Sequence, residues 1–326
     1  MTDPTTTGTT NAAAAIEDAA QRYRNWGRWG DDDVLGTANY IDDATRRHAA
    51  TLARRGAAFS LSQSFDGNGP QNGWRRRTNP VHTMLDTGTD AAAGAQGFPH
   101  GIGGADDVIA MPLQCSTQWD GLGHIFDRGK AWNGRDAGST VTSLGDQVTG
   151  IEHVGANLTS RGVLLDVGRA LDDEGELPDG FAITEEHLLR TIEQQGSTSR
   201  VRTGDIVLVR TGQYCRVVRD GWGSYAGGPA PGLSFWTAGW LHRTEIAALA
   251  TDTWGFEVRP NEFDDAFQPL HQVAIPNIGL FIGEMWNLES LAKDCADDGV
   301  YEFLLSAAPL KVTGAVGAPV HPVAIK

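Results

Sequence analysis

The chain has 326 residues, 40% apolar and 21% charged, proportions that suit a globular protein with a substantial core. With 26 basic against 41 acidic side chains its net charge is −15, which leaves nothing to offset phosphate repulsion and argues against a nucleic-acid partner. No apolar run is long enough to span a bilayer, the Thr-rich start Met1–Thr10 lacks the features of a signal peptide, and three widely spaced cysteines (Cys115, Cys215, Cys295) suit a reducing compartment, so the expected setting is cytoplasmic, without membrane association.

In chain order, Met1–Thr10 reads as a disordered tail, and Asn11 caps an Ala-rich helix over Ala12–Tyr23. Residues 1–20 form an N-terminal extension, and 21–326 form one domain. Asp42 or Asp43 caps a helix running to Arg55 and stopped by Gly56. Ala57–Phe65 reads as a strand, and Pro80–Ala105, rich in glycine and without periodicity, as a long loop over a cleft. Val163–Val167 and Ile206–Arg210 are β-branched runs bounded by glycine, which predicts buried strands. Thr184 caps a helix that ends near Gly196. Thr237–Ala250 reads as a further helix, Val273–Phe281 as an apolar stretch broken by Pro276-Asn277, and Lys311–Ile325 as a terminal strand.

The chemistry concentrates in Gln114-Cys-Ser-Thr-Gln-Trp-Asp-Gly-Leu-Gly-His124. Because a strand repeats every two residues, Gln114, Gln118 and Asp120 would project from one strand face, while Pro112, Ser116, Thr117, Gly121 and Gly123 disfavour a helix. A turn at Gly121–Gly123 can return His124 to the same point. Three oxygen donors and one imidazole converging in this way can bind a divalent cation. Taken alone the spacing is equally that of a polar surface strand. Trp119 and Cys115 fall on the opposite face and read as core. The basic run Arg75-Arg76-Arg77 reads as a solvated loop or as an anchor for an anionic substrate. Trp29, Trp26 and Trp74 are candidate cleft walls, and His82 and His100 candidate substrate contacts. No Gly-x-Ser-x-Gly elbow and no dinucleotide loop is present.

These residues carry a resemblance. The run is similar to the signature His-x-Gly-Thr-His-x-Asp-x-Pro-x-His of the putative cyclase family, which includes bacterial kynurenine formamidases and isatin hydrolases. Thr117, Asp120 and His124 match it, whereas Gln114 and Gln118 replace histidines, Ser116 replaces glycine and Leu122 proline. The form Gln-x-x-x-Gln-Trp-Asp-x-x-x-His resembles the branch typified by trans-dienelactone hydrolase. Asn25–Gly30, Arg161–Asp166, Gly204–Gly212 and Pro231–Ser234 extend the likeness, and Leu270-His271 and Glu284 stand where the family places a second histidine and a glutamate.

The resemblance implies an α/β fold with a swivelling β/β/α core, a homodimer or homotetramer, and a divalent metal, Zn2+ or Mn2+. It implies metal ligands among Gln114, Gln118, Asp120 and His271, with catalytic roles for His124 and Glu284. Either glutamine can ligate directly or hold a water on the ion, and His271 with Glu284 can complete one shell or hold a second ion. Trp29, Arg77 and His82 are the expected substrate contacts. The expected reaction is metal-assisted hydrolysis of a small cyclic ester or cyclic amide whose substrate can be anionic. Its rivals are hydrolysis of open-chain formamides and a non-catalytic binding protein on the same fold.

Overall fold

The computed structural model describes residues 11–326; the stretch read from the sequence as a tail, 1–10, lies outside them. Its centre is a nine-stranded sheet. In chain order the strands are β1 (Ala58–Ser60), β2 (Gln118–Asp120), β3 (Thr159–Asp166), β4 (Ile206–Arg210), β5 (Ala248–Thr251), β6 (Phe281–Glu284), β7 (Glu302–Ser306), β8 (Gly317–Pro319) and β9 (Val323–Ile325). Their order across the sheet is β1-β9-β7-β3-β4-β5-β6-β2-β8. The middle four, β3 to β6, run parallel, and antiparallel strands flank them on both sides.

The parallel strands are apolar on both faces, so each feeds two hydrophobic layers, as central strands covered on both sides do. Leu164, Ile206, Leu208, Ala248 and Phe281 enter one layer, with Trp119, Trp132 and Trp286. Val163, Leu165, Val207, Leu249 and Ile282 enter the other, with Leu270, Val273 and Ile275. The N-terminal helix Ala12–Arg22 packs into this second layer through Ile16 and Ala19, and Asn11 caps it by accepting the Ala13 N–H at 3.0 Å.

Several predicted elements form where expected. Ile206–Arg210 is a strand, and the helix Glu185–Gln195 is capped by Thr184. Asp42 caps the next helix, but that helix stops at Ala50, five residues before Arg55. The predicted strand at Ala57–Phe65 contracts to Ala58–Ser60. The expected helix Thr237–Ala250 is corrected more seriously: only Ala238–Arg243 is helical, and Ala248–Thr251 is a central strand. Its run Ile246-Ala-Ala-Leu-Ala250 is apolar throughout, which suits a fully buried strand as well as a helix; pairing between β4 and β6 decides the matter. The long loop expected at Pro80–Ala105 is instead a projecting arm. Val81–Asp86 and Asp106–Ala110 pair antiparallel as a separate two-stranded sheet, and no residue from 81 to 110 is buried.

The β6–β2 pair positions the chemistry. Glu284 lies opposite Gln118, Gly283 opposite Trp119, and Ile282 opposite Asp120. Alternation sends Gln118, Asp120 and Glu284 to the same face as Ile282, and Trp119 to the other, where its ring meets Trp286 edge-on at 4.9 Å. Gly283 makes this crossing possible, because a Cβ there would come within 2.4 Å of the Ala250 Cβ and 2.9 Å of the Trp119 ring. We expect Gly283→Ala to destabilise the fold by roughly 1–3 kcal/mol through overpacking. Thermal denaturation of the variant checks this, and an unchanged midpoint would show that the tryptophans yield freely.

Candidate metal centre

Only residues 118–120 of the signature run are strand, so the expected alignment of Gln114 with Gln118 and Asp120 holds for the last two alone. Gln118 Nε2–H donates to Asp120 Oδ1 at 3.2 Å and to Glu284 Oε2 at 3.0 Å. Gln114 sits in the turn before the strand, and Thr117, between the two glutamines, donates its hydroxyl to the Met285 carbonyl at 2.6 Å. Its amide lies beside Gly317 of β8, where an added Cβ would come 3.0 Å from Gln114 Nε2, and it makes no hydrogen bond to the acidic group.

His271 arrives from the short helix Pro269–Val273, which packs on the same face of the sheet. Its Nε2 lies 3.2 Å from Glu284 Oε1. Asp120, His271 and Glu284 are all buried, and one ligand atom from each lies within 4.8 Å of the others. The turn after β2 returns His124 as anticipated, with its Nε2 3.7 Å from Asp120 Oδ1.

Burying two carboxylates this close is costly unless positive charge compensates them. Burial, then the charge of Asp120, pushes the Glu284 carboxyl up to about 7 despite its hydrogen bond from His271. Burial alone would lower the pKa of His271, but the carboxylates of Glu257 and Glu284 outweigh it and hold the imidazole up to about 10. Burial, joined by the positive charges of Arg77 and His271 and opposed by Asp120, pushes His124 below its ordinary value, so it is a neutral base at pH 7.

A divalent cation fits this donor set. Gln118 Oε1 is buried and has no hydrogen-bond partner, an orphan acceptor beside two carboxylates and an imidazole. Rotating the terminal amide would turn that oxygen towards an ion between Asp120 and Glu284. Ligand bonds of about 2.1 Å set opposed donors ~4 Å apart, so a small contraction of the group suffices.

The model of the family described as "Putative cyclase" matches residues 38–258. The chain belongs to this family. A crystal structure of a protein described as a novel cyclase is 41% identical over 93% of this chain and 99% of its own, with a TM-score of 0.85. Isatin hydrolase A from Labrenzia aggregata, solved with benzyl benzoate, shares the fold at 17% identity and a TM-score of 0.59, covering 86% of this chain and 98% of that one. Isatin hydrolase A from Ralstonia solanacearum does so at 16% identity and a TM-score of 0.60, covering 85% and 95%. No curated protein matches the chain significantly. The cyclase fold expected from the signature is the fold observed.

Of the residues singled out from the sequence, the structure brings together Gln118, Asp120, His124, His271 and Glu284. Arg77 stands near them, close enough for its charge to act on both His124 and Glu284. Trp29 packs against Tyr40 and Trp132, and His82 lies on the projecting arm with its Nε2 2.8 Å from Asp107 Oδ2; among the described residues neither has a contact with the acidic group. Cys115 is buried, and burial pushes its thiol up to about 11, which suits packing and not nucleophilic attack.

Sequence reading missed Glu257. Its Oε1 accepts the Nδ1–H of His271 at 2.5 Å and the backbone N–H of His271 at 2.9 Å, while Oε2 accepts the backbone N–H of Leu270 at 3.1 Å. This orients the ring so that Nε2 faces Glu284, and raises its basicity. Glu257 lies fourteen residues before His271, in an irregular segment with no local pattern that could reveal the pairing. We expect Glu257→Ala to weaken metal binding by roughly 10–100-fold, with Glu257→Gln intermediate because its amide oxygen still accepts the ring N–H. Chelator competition measures this directly, and equal affinity in all three proteins would remove Glu257 from the site.

Proposed function

We propose that the chain is a metal-dependent hydrolase that opens a small cyclic ester or cyclic amide bearing an anionic group. The observation that carries this reading is the buried Asp120–His271–Glu284 group with the orphan Gln118 oxygen beside it. A divalent cation there supplies Lewis acidity, which acidifies water and polarises a carbonyl. The isatin hydrolases that share the fold act on a cyclic amide by name, which supports the bond class.

Glu284, expected from the sequence to act with His124, stands inside the ligand group, and we assign it to holding the ion. That leaves His124 to move the proton. Held neutral, it takes a proton from the attacking water and returns it to the ring oxygen or nitrogen as the C–O or C–N bond breaks. One water is consumed, and the product is a hydroxy acid or an amino acid derivative.

The anionic requirement comes from the arginine run. Arg77 is only 9% exposed, yet its guanidinium has no ion pair or hydrogen bond among the described residues. A largely buried, unpaired cation calls for an anion. Arg75 joins it, its charge disfavoured first by burial and then by Arg77, and favoured by Asp120 and Glu284. The backbone of Arg75 is held at φ +52°, a strained conformation of the kind that gathers at ligand clamps. Aromatic walls stand alongside: the Arg75 guanidinium is 5.5 Å from the Trp74 ring and 5.9 Å from Phe267, and Trp74 meets Trp254 edge-on at 4.6 Å. Trp254 Nε1–H is buried without an acceptor, a further donor for a substrate oxygen.

Assay of a carboxylated lactone, a cyclic imide and a formamide, each with and without added Zn2+ or Mn2+, tests the reading. Turnover of the formamide alone would move the assignment to open-chain amides, and no turnover with no stoichiometric metal would make this a binding protein. His124→Asn should keep much of its metal yet lose turnover about a hundredfold. Because the folded pKa of His124 lies below 6.5, the wild-type rate should fall as pH drops through that lowered value, and this acidic limb should be absent in the variant. Parallel loss of metal and rate would make His124 a ligand instead. Arg77→Gln should raise KM at least tenfold for the carboxylated substrate while sparing its uncharged methyl ester; equal effects on both would refute charge recognition.

A further inference from the structure

We propose that Gln63, Gln71 and Ser116 form an uncharged subsite that holds a hydroxyl or N–H group on the ring of the substrate. The inference rests on the hydrolase reading above and adds a further recognition point to it. All three side chains are at least nine-tenths buried. Yet both amide atoms of Gln63, Oε1 of Gln71 and Oγ of Ser116 have no hydrogen-bond partner among the described residues. A buried polar group left in this way costs free energy, so a cluster of them calls for an occupant.

The three residues converge on Cys115–Thr117, which leads into β2 at Gln118. Gln71 Nε2–H donates to the Cys115 carbonyl at 2.7 Å, and the backbone N–H of Gln63 donates to Thr117 Oγ1 at 2.8 Å. Thr117 in turn donates to the carbonyl of Met285, the residue after Glu284, and Gln71 Nε2 lies 4.0 Å from Met285 Sδ. The subsite therefore adjoins the acidic group on both of its strands. Ser116 stands two residues from Gln118, at most ~7 Å along the backbone, a distance that a small substituted ring spans. Met285 also packs with Tyr225 and Trp254, which joins the subsite to the aromatic wall.

The bonds already made decide what the occupant carries. A carbonyl only accepts, so the contact with Cys115 commits the Gln71 nitrogen and leaves its Oε1 as a free acceptor. Gln63 lies beside Tyr225, whose hydroxyl hydrogen is committed to the Asp252 carbonyl at 2.8 Å, so the Gln63 oxygen receives nothing from it. Two unserved amide oxygens call for a donor, and Ser116 can donate or accept. An ammonium is disfavoured, because the charge of Arg77 reaches the adjoining Cys115. A hydroxyl or N–H on the ring is the uncharged group that remains. Gln71 belongs to the segment 66–79, largely irregular and exposed along most of its length, so this side of the subsite can yield to an entering ring.

Calorimetric titration of the full chain with rings that cannot be hydrolysed tests the subsite without relying on turnover. The probes are cyclohexanecarboxylate, its derivatives with a hydroxyl at each ring position in turn, and pyrrole carboxylate with its N-methyl form. At least one donor-bearing ring should bind about tenfold tighter than its donor-free counterpart, and whether it is a hydroxyl or the pyrrole identifies the source of the donor. Gln71→Leu should bring that pair to within about twofold while the donor-free ring keeps its affinity. Ser116→Ala, a smaller change should the leucine variant fail to fold, should narrow the preference about threefold. A wild type that binds every donor-bearing ring no better than its counterpart would show that the subsite holds water only, and the inference falls. It falls equally when both variants fold and keep the full preference. Selective binding without turnover of any ester or amide would keep the subsite and remove the hydrolase reading instead.

Discussion

Three carboxylates, Asp120, Glu257 and Glu284, converge on the single imidazole of His271, and each is 3% exposed or less. Without compensation such a group would neutralise itself by taking up protons, and the raised pKa of Glu284 and of His271 records that tendency. A divalent cation relieves the same repulsion with no proton taken up. The surrounding fold can be understood as the scaffold that keeps these acids together in an interior where they would otherwise separate.

That scaffold is the antiparallel pairing of β2 with β6. The parallel strands β3 to β6 are held between two apolar layers at the centre of the sheet. Adding β2 antiparallel to β6 places Gln118 opposite Glu284 and plants Trp119 in the far layer as a counterweight. The Trp119 indole N–H donates to the Ala307 carbonyl at 2.7 Å, so the strand that carries the site is fixed by a fully buried ring on its reverse side. His271 is supplied from across the chain, and its orientation is set by Glu257 from below and by Phe256, whose ring meets the imidazole edge-on at 5.6 Å.

The two glutamines change the electronic character of the family's signature. An amide oxygen is a neutral, weaker donor than imidazole, so a cation here would be held more loosely and remain more electrophilic than one bound by two further histidines. Gln118 hydrogen-bonds to the acidic group, and Gln114 lies beside Gly317, which pairs with Asp120. The electrostatic surroundings then divide by sign: carboxylates gather where the cation belongs, while Arg75 and Arg77 stand beside them with no acid of their own.

Much of this was legible in the residues. Gly-bounded, β-branched runs such as Ile206–Arg210 declare themselves as strands because only full burial suits them, and the spacing of Gln118, Asp120 and His124 is local enough for period and turn to place them together. The signature determined the family. Other features depended on tertiary structure. Ala248–Thr251 is a strand because β4 and β6 leave a gap there, a circumstance its own composition does not express. Gln114 lies outside the strand, and β8 brings Gly317, the cross-strand partner of Asp120, against its amide. Glu257 acts through a histidine fourteen residues away, and the exposure of the arm exists only relative to a body the strand pattern cannot see. The sequence alone determined which residues could share a face; long-range pairing decided which did, because strand register and charge compensation are properties of neighbours in space.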